Sequence, residues 1–364
     1  MKISIETKTF LQAMGRIAPC VPNNPNVPIL SNALFEVRDG LLNMTATDFE
    51  KTASTFVKVQ GDGEVRFCVD QRKFQNIVKN AISPRFEVEV MDKVIMINLE
   101  KSTYELPLGE IEAYPNVEFK KLDEALEVDG PAFFEALMEA KRFTNNDDLR
   151  QFFNVHITNY ENSLQVQASD NYTCYLNNLT GCGKAEFSLL VPNRNIVLFE
   201  VIDFDEASLK MGYSGNTLLV NDDLTQVAIL LTDAKFPPVN KVIPAQDTLT
   251  SKFTCDKDFL ISAINRLSVV YGGLKEKKVR FDFTNDMAII SSDDSTLNTH
   301  GKEYVPGTHE GDVFPIGFNA NYLLRSIQCI DSETIEINMK SEKFGAVLKD
   351  ENREVLVMPT LLNN

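Results

Sequence analysis

The 364-residue sequence has no tryptophan, three histidines and six cysteines, and each scarcity removes a class of function. Cys20, Cys68, Cys174, Cys182, Cys255 and Cys329 form no CxxC pair, so neither a zinc ribbon nor a disulfide framework is written in them. Reduced thiols in a cytoplasmic protein are the expectation. His156, His300 and His309 stand far apart, with no HExxH, GxSxG or P-loop, and Cys174 has no histidine at a familiar nucleophile spacing. A non-catalytic protein without cofactor or metal is therefore expected. No apolar run reaches the roughly 18 residues of a membrane span, and Met1-Lys2-Ile3-Ser4-Ile5-Glu6 alternates polar with apolar, unlike a secretory leader. The pairs Asp222-Asp223 and Asp293-Asp294 read as solvated turns before they read as cation ligands. Positive charge is also short. A net charge of −16 lacks the overall basicity of a typical nucleic-acid binder.

Against these absences stands a repeat. Thr9-Phe10-Leu11, Ala132-Phe133-Phe134 and Asp258-Phe259-Leu260 each open a stretch with apolar residues at helical spacing, their phenylalanines 123 and 126 residues apart. Ala46-Thr47-Asp48, Ala168-Ser169-Asp170 and Ser291-Ser292-Asp293 place aspartates 122 and 123 apart. The first of these follows a hairpin whose strands flank Arg38-Asp39-Gly40, a pair suited to a tight turn. Phe67-Cys68-Val69-Asp70, Leu189-Leu190-Val191-Pro192 and Ile316-Gly317-Phe318-Asn319 each run from a strand into a second helix, with Asp70 and Asn319 as N-caps. Pro115, Pro237 and Pro359 close the units at intervals of 122. A period near 122 residues means whole domains in tandem, since solenoid and propeller repeats are far shorter. The expected fold is α+β, in three homologous domains covering 1–125, 126–248 and 249–364, each with two helices against antiparallel sheet.

The six expected helices, 7–18, 71–81, 131–143, 193–202, 257–269 and 319–330, hold eleven basic and four acidic residues, a net of +7 that leaves −23 elsewhere. A weakly positive set of helices in an acidic protein suits binding to DNA phosphates without reading sequence. The candidate DNA contacts are Lys8, Arg16, Arg72, Lys73, Lys79, Lys141, Arg142, Arg194, Arg266 and Arg325, with Asn24. Taken singly, each is more often an ordinary surface charge. A multidomain scaffold that binds proteins and never encircles DNA is the alternative, and its helices would show no such bias.

Val27-Pro28-Ile29-Leu30-Ser31-Asn32, with Asp39-Gly40-Leu41 and Thr45-Ala46-Thr47-Asp48, resembles the first domain of the bacterial DNA polymerase III β sliding clamp family. Phe236-Pro237-Pro238-Val239-Asn240-Lys241-Val242-Ile243-Pro244 resembles that family's link from second to third domain. Phe318-Asn319-Ala320-Asn321-Tyr322-Leu323-Leu324 and Val355-Leu356-Val357-Met358-Pro359 are similar to its third domain and C-terminus. The resemblance implies a DNA-clamp fold and a processivity function: a head-to-tail homodimer forms a ring around double-stranded DNA, with helices inside and antiparallel sheets outside. It implies an apolar dimer interface at Tyr104, Val269 and Val270, for which ordinary domain core is the competing reading. It further implies a cleft that binds a short peptide motif of the replicative polymerase, clamp loader and repair proteins. By position the cleft comprises Arg150, Phe152, Phe153, Ser169, Asn171, Tyr172, Cys174, Pro237, Lys241, Val242, Asn319, Tyr322, Gly345, Leu356, Val357, Met358, Pro359 and Thr360. This chain departs from the family in Asn171-Tyr172-Thr173-Cys174, where Gly-His-Arg-Leu is common, and in its Leu361-Leu362-Asn363-Asn364 ending, where Arg-Leu is common. A rim carrying less charge is the expectation.

Overall fold

The computed structural model describes the chain apart from residues 62, 120–123, 127, 145–153, 181–185, 205–209, 237–238, 272–276, 295 and 363–364. The order of elements is set first by the strand Lys2–Glu6, whose alternating pattern buries Ile3 and Ile5, and the helix Thr7–Ile17, which buries Phe10, Ala13, Met14 and Ile17 at helical spacing. Four strands follow, Asn32–Arg38, Leu41–Thr47, Lys51–Gln60 and Val65–Asp70. The helix Gln71–Lys79 and three strands, Arg85–Val90, Val94–Leu99 and Ser102–Pro107, complete the series. The same order recurs from Glu124–Leu126 to Thr225–Leu230, and again from Ser251–Asp256 to Arg353–Val357.

Local chemistry accounts for the boundaries. Asp39 and Gly40 take φ of 51° and 73°, the left-handed pair of a two-residue hairpin turn, and Arg38 pairs with Leu41 across it. The N–H of Lys73 donates to the Asp70 carboxylate at 2.8 Å, that of Phe259 to Asp256 at 2.7 Å, and that of Asn321 to the Asn319 side chain at 3.0 Å. Helices are found at Gly130–Arg142, Lys257–Ser268 and Ala320–Gln328 as the spacing predicts, but Asn193–Val201 is a 3-10 helix. Its buried residues Asn195, Ile196, Leu198 and Phe199 pair three apart, the face that a three-residue turn aligns.

In the third repeat two landmarks shift by one residue. Phe10 and Phe133 are fully buried, but Phe259 is 44% exposed and Leu260 takes the core position. Likewise the carboxylate that accepts turn N–H groups is that of Asp294, from Thr296 and Leu297, while Asp293 lies in the strand opposite His300. In the other repeats Asp48 accepts from Glu50 and Lys51, and Asp170 from Tyr172 and Thr173, so these aspartates are turn-formers.

The described residues gather into two compact units, Met1–Phe134 with Arg194–Asp233 and Glu135–Asn193 with Ala234–Asn364. Each holds one twelve-stranded antiparallel sheet. In the first unit, Phe10 meets Phe74 at 4.8 Å and Phe86 at 5.1 Å, and Phe35 stacks on Phe67 at 5.1 Å, so helix and sheet share one aromatic core. In the second, Phe281 meets Phe318 edge-on at 5.8 Å, and Phe253 meets Phe283 at 5.3 Å. Among the described residues no helix is long and apolar enough to cross a membrane.

Candidate functional site

In the first unit, the helices Thr7–Ile17 and Gln71–Lys79 pack their apolar faces on the sheet and contain no acidic residue. Lys8, Lys73 and Lys79 are exposed on the outward faces, and Asn24 is exposed in the following loop. Arg16 and Arg72 are engaged internally. Arg16 donates to the Thr225 hydroxyl at 2.6 Å beside the buried Asp222 carboxylate, and Arg72 donates to the Val21 carbonyl at 2.9 Å. Arg194 makes a two-point ion pair with Glu50 at 2.8 and 2.6 Å. In the second unit, Lys141 is half-buried, and Arg142 chelates Glu139 at 3.0 and 2.8 Å. Arg266 makes two bonds of 2.8 Å to Glu303, holding that carboxyl below its ordinary pKa. The Arg325 side chain is 19% exposed and bonded to Asp170 at 2.6 Å. Of the proposed DNA contacts, the exposed lysines stand in solvent, Lys73 with a 3.7 Å ion pair to Asp70, whereas the arginines neutralise carboxylates or hold backbone.

Each unit also presents an unpaired sheet edge. The strand Lys51–Gln60 pairs on one side with Leu41–Thr47 and, over 51–55, on the other with Thr225–Leu230. The strand Thr173–Thr180 is likewise paired over 173–177 with Arg353–Val357. In the third repeat, residues 299–306 pair with Met287–Asp294, and the opposite side meets Ser251–Asp256 only from Gly307 to Gly311. At the end of the first unit's sheet, Ser102–Pro107 pairs, among the described residues, only with Val94–Leu99. Tyr104 on that edge is 44% exposed and Val269 is 78% exposed, so neither is core; Val270 is half-buried, its carbonyl accepting from Thr299 at 2.8 Å.

Of the residues assigned to a cleft, Cys174, Leu356 and Met358 meet in one apolar cluster of the second unit. Cys174, Val239, Val347 and Leu356 form a buried floor, against which Phe236, Ile243, Leu249 and Met358 pack. Gly345 lies so close that a Cβ there would stand 2.5 Å from Leu356 Cδ1. Val357 alternates to the other face and is fully buried, and Thr360 bridges to Gly317 with its N–H at 2.8 Å from that carbonyl. Lys241 and Val242 are exposed on the short helix Val239–Val242. Tyr172, 56% exposed, stacks on Tyr322 at 5.3 Å, and its carbonyl accepts from the Met358 N–H at 2.8 Å. Ser169 donates to the Thr173 carbonyl at 3.0 Å, Asn171 takes φ of 74°, Asn319 caps the helix Ala320–Gln328, and Pro359 precedes Thr360 on the closing segment. Arg150, Phe152, Phe153 and Pro237 lie outside the described residues. The floor residues Val239 and Val347 escaped the sequence reading, although Ala346-Val347-Leu348 carries the apolar run of a buried strand. Burial raises the Cys174 thiol above its ordinary pKa, which opposes a nucleophilic role.

The description "DNA polymerase III beta subunit, N-terminal domain" matches residues 1–118 and "DNA polymerase III beta subunit, C-terminal domain" matches residues 240–361. The Beta sliding clamp of Vibrio cholerae serotype O1 is 23% identical over 100% of both chains, and that of Proteus mirabilis is 25% identical over 93% of this chain and 92% of that one. The solved DNA polymerase III beta subunit of Thermotoga maritima matches with a TM-score of 0.91 at 21% identity. The DNA polymerase sliding clamp of Bacillus subtilis matches at 0.92 and 16%, both over 100% of each chain. At these identities the solved structures speak for the fold.

Proposed function

The chain belongs to the DNA polymerase III beta subunit family, and from that premise we propose that it is a sliding clamp, a non-catalytic subunit that encircles duplex DNA and tethers the replicative polymerase. The threefold recurrence of one element order supports three domains at 1–125, 126–248 and 249–364. A cytoplasmic setting fits the buried free thiols of the five cysteines among the described residues.

The observation that carries the ring is the pair of unpaired edges. Inside the chain, the last strand of one repeat pairs with the fourth strand of the repeat before it, at Thr225–Leu230 on 51–55 and at Arg353–Val357 on 173–177. Among the described residues, the first repeat's last strand, Ser102–Pro107, and the third repeat's fourth strand, at 299–306, lack that neighbour. Two copies of the chain, head to tail, supply it to each other. Carrying over the register of the internal joins sets Tyr104 of one copy opposite Gly301 of the other and closes both edges. Lys8, Lys73 and Lys79 then face the DNA, and the cleft of the second unit receives an apolar peptide motif from polymerase, clamp loader and repair proteins.

The decisive experiment loads the protein on nicked circular DNA and then linearises half the sample. Retention on the circle with loss from the linear form is expected; equal retention on both, or on neither, overturns encirclement and favours a scaffold.

A further inference from the structure

We infer that Arg325 is a positioning residue of the peptide cleft, holding the turn that presents Tyr172, and is not a phosphate contact. The inference rests on the clamp reading above. Its basis is the engagement of both terminal nitrogens of one guanidinium. From the helix Ala320–Gln328, Arg325 Nη2 donates to Asp170 Oδ2 at 2.6 Å and to Thr173 Oγ1 at 2.5 Å, while Nη1 donates to the Arg142 carbonyl at 2.6 Å. Its plane stands over the Phe143 ring at 4.6 Å and the Tyr322 ring at 5.3 Å. Reaching a phosphate would require giving up charge-assisted bonds on both nitrogens and leaving the buried Asp170 carboxylate unpaired.

What this network holds is a turn. Asp170 Oδ1 accepts from the N–H of Tyr172 at 3.0 Å, from the N–H of Thr173 at 2.8 Å and from the Thr173 hydroxyl at 2.9 Å. With Oδ2 taken by Arg325, every face of the carboxylate is fixed, and the turn passes through the left-handed Asn171. Tyr172 is thereby set on Tyr322 with the rings 16° from parallel, its carbonyl joined to Met358 beside the apolar floor. The turn has Thr173 where an arginine is common in the family, and Arg325 delivers a guanidinium to the same turn from the helix. A stacked tyrosine pair, Tyr172 exposed and Tyr322 half-buried, beside an apolar floor suits a peptide with a bulky apolar or aromatic residue. Arg325 keeps that pair assembled before the peptide arrives.

The test uses the full-length protein as wild type, Arg325→Lys and Arg325→Ala. The probe is the tightest-binding of a set of fluorescein-labelled peptides tiled across the replicative polymerase of the same cell. Anisotropy should show about a tenfold weaker Kd for Arg325→Ala. Arg325→Lys should bind the probe no better, because lysine keeps the charge but not the planar fork. The salt dependence of DNA binding should be identical in all three. A DNA salt slope that falls in Arg325→Ala and returns in Arg325→Lys overturns the inference, as does unchanged probe binding in Arg325→Ala. If Arg325→Ala unfolds, Asp170→Asn, which keeps the shape of the turn and removes the charge facing Arg325, must show the same loss of probe or the inference fails. A wild type that binds no tile overturns the cleft and this role together, while retention on circular DNA tests the clamp separately.

Discussion

Leu260 and not Phe259 continues the line of Phe10 and Phe133, and a single-residue offset of this kind is invisible to a repeat found by matching conspicuous side chains. Apolar type was legible; which of two adjacent apolar residues points inward was decided by the helix docking on its sheet. Leu260→Ala should therefore lose roughly 2–5 kcal/mol in urea unfolding, and Phe259→Ala about 0.5 or less; similar losses would put Phe259 back in line with Phe10 and Phe133. The arginines make the same point. Their charge was readable from sequence, but whether a guanidinium faces water, a carboxylate or a carbonyl depends on partners as distant as Thr225 for Arg16. His156 adds a pH effect that no spacing revealed. It lies against Phe236 at 4.6 Å and within 2.8 Å of Ser188 Oγ, and burial lowers its pKa from 6.5 to about 4. Above pH 6.5 both states are neutral and stability is unaffected. As pH falls below that value the unfolded chain takes a proton that the folded one refuses, and stability drops until about pH 4. The loss of stability between pH 7 and 4.5 should be smaller in His156→Gln than in the wild type; equal losses would mean that His156 does not stay neutral in the fold.

Helix ends and hairpins were legible because single residues cause them. Asp70 and Asn319 cap as their side chains demand, as does Asp256, which the sequence reading did not single out, and Asp39-Gly40 turns where its left-handed backbone is cheapest. The 3-10 geometry of Asn193–Val201 was not, since its apolar residues also fit an α-helix and only the packing chose between them. Capping gives a clean expectation: Asp256→Ala should lower stability by about 1 kcal/mol in a denaturant titration. The helices also carry the DNA prediction. Reversal of Lys8, Lys73 and Lys79 to Glu should make the logarithmic salt dependence of DNA binding shallower by roughly 0.9 for each phosphate that is no longer neutralised. Arg194→Gln, which breaks the two-point pair with Glu50, should leave that slope unchanged. A triple variant with the wild-type slope would remove these lysines from the DNA-facing surface.

At the scale of the molecule, the repeat was legible, and so was the segregation of charge into helices. The joins were not, because nothing in Thr225–Leu230 says that its partner is 51–55. Once seen, those internal joins make the unpaired edges the strongest argument for assembly, and they single out where to break it. Val270 is a poor target, since its side chain lies against Gly301 and its carbonyl holds Thr299, so a charge there threatens the fold of its own domain. Val269, 78% exposed, has little to lose within the chain. If two copies meet through these edges, a glutamate at Val269 is desolvated only in the dimer, and burying an unpaired carboxylate costs several kcal/mol. Val269→Glu should therefore be a folded monomer by light scattering, with the thermal unfolding of the monomer intact and no retention on circular DNA. Val269→Ala should remain a dimer. A Val269→Glu protein that stays dimeric would move the interface elsewhere, and one that is monomeric yet retained on circles would separate encirclement from the dimer altogether.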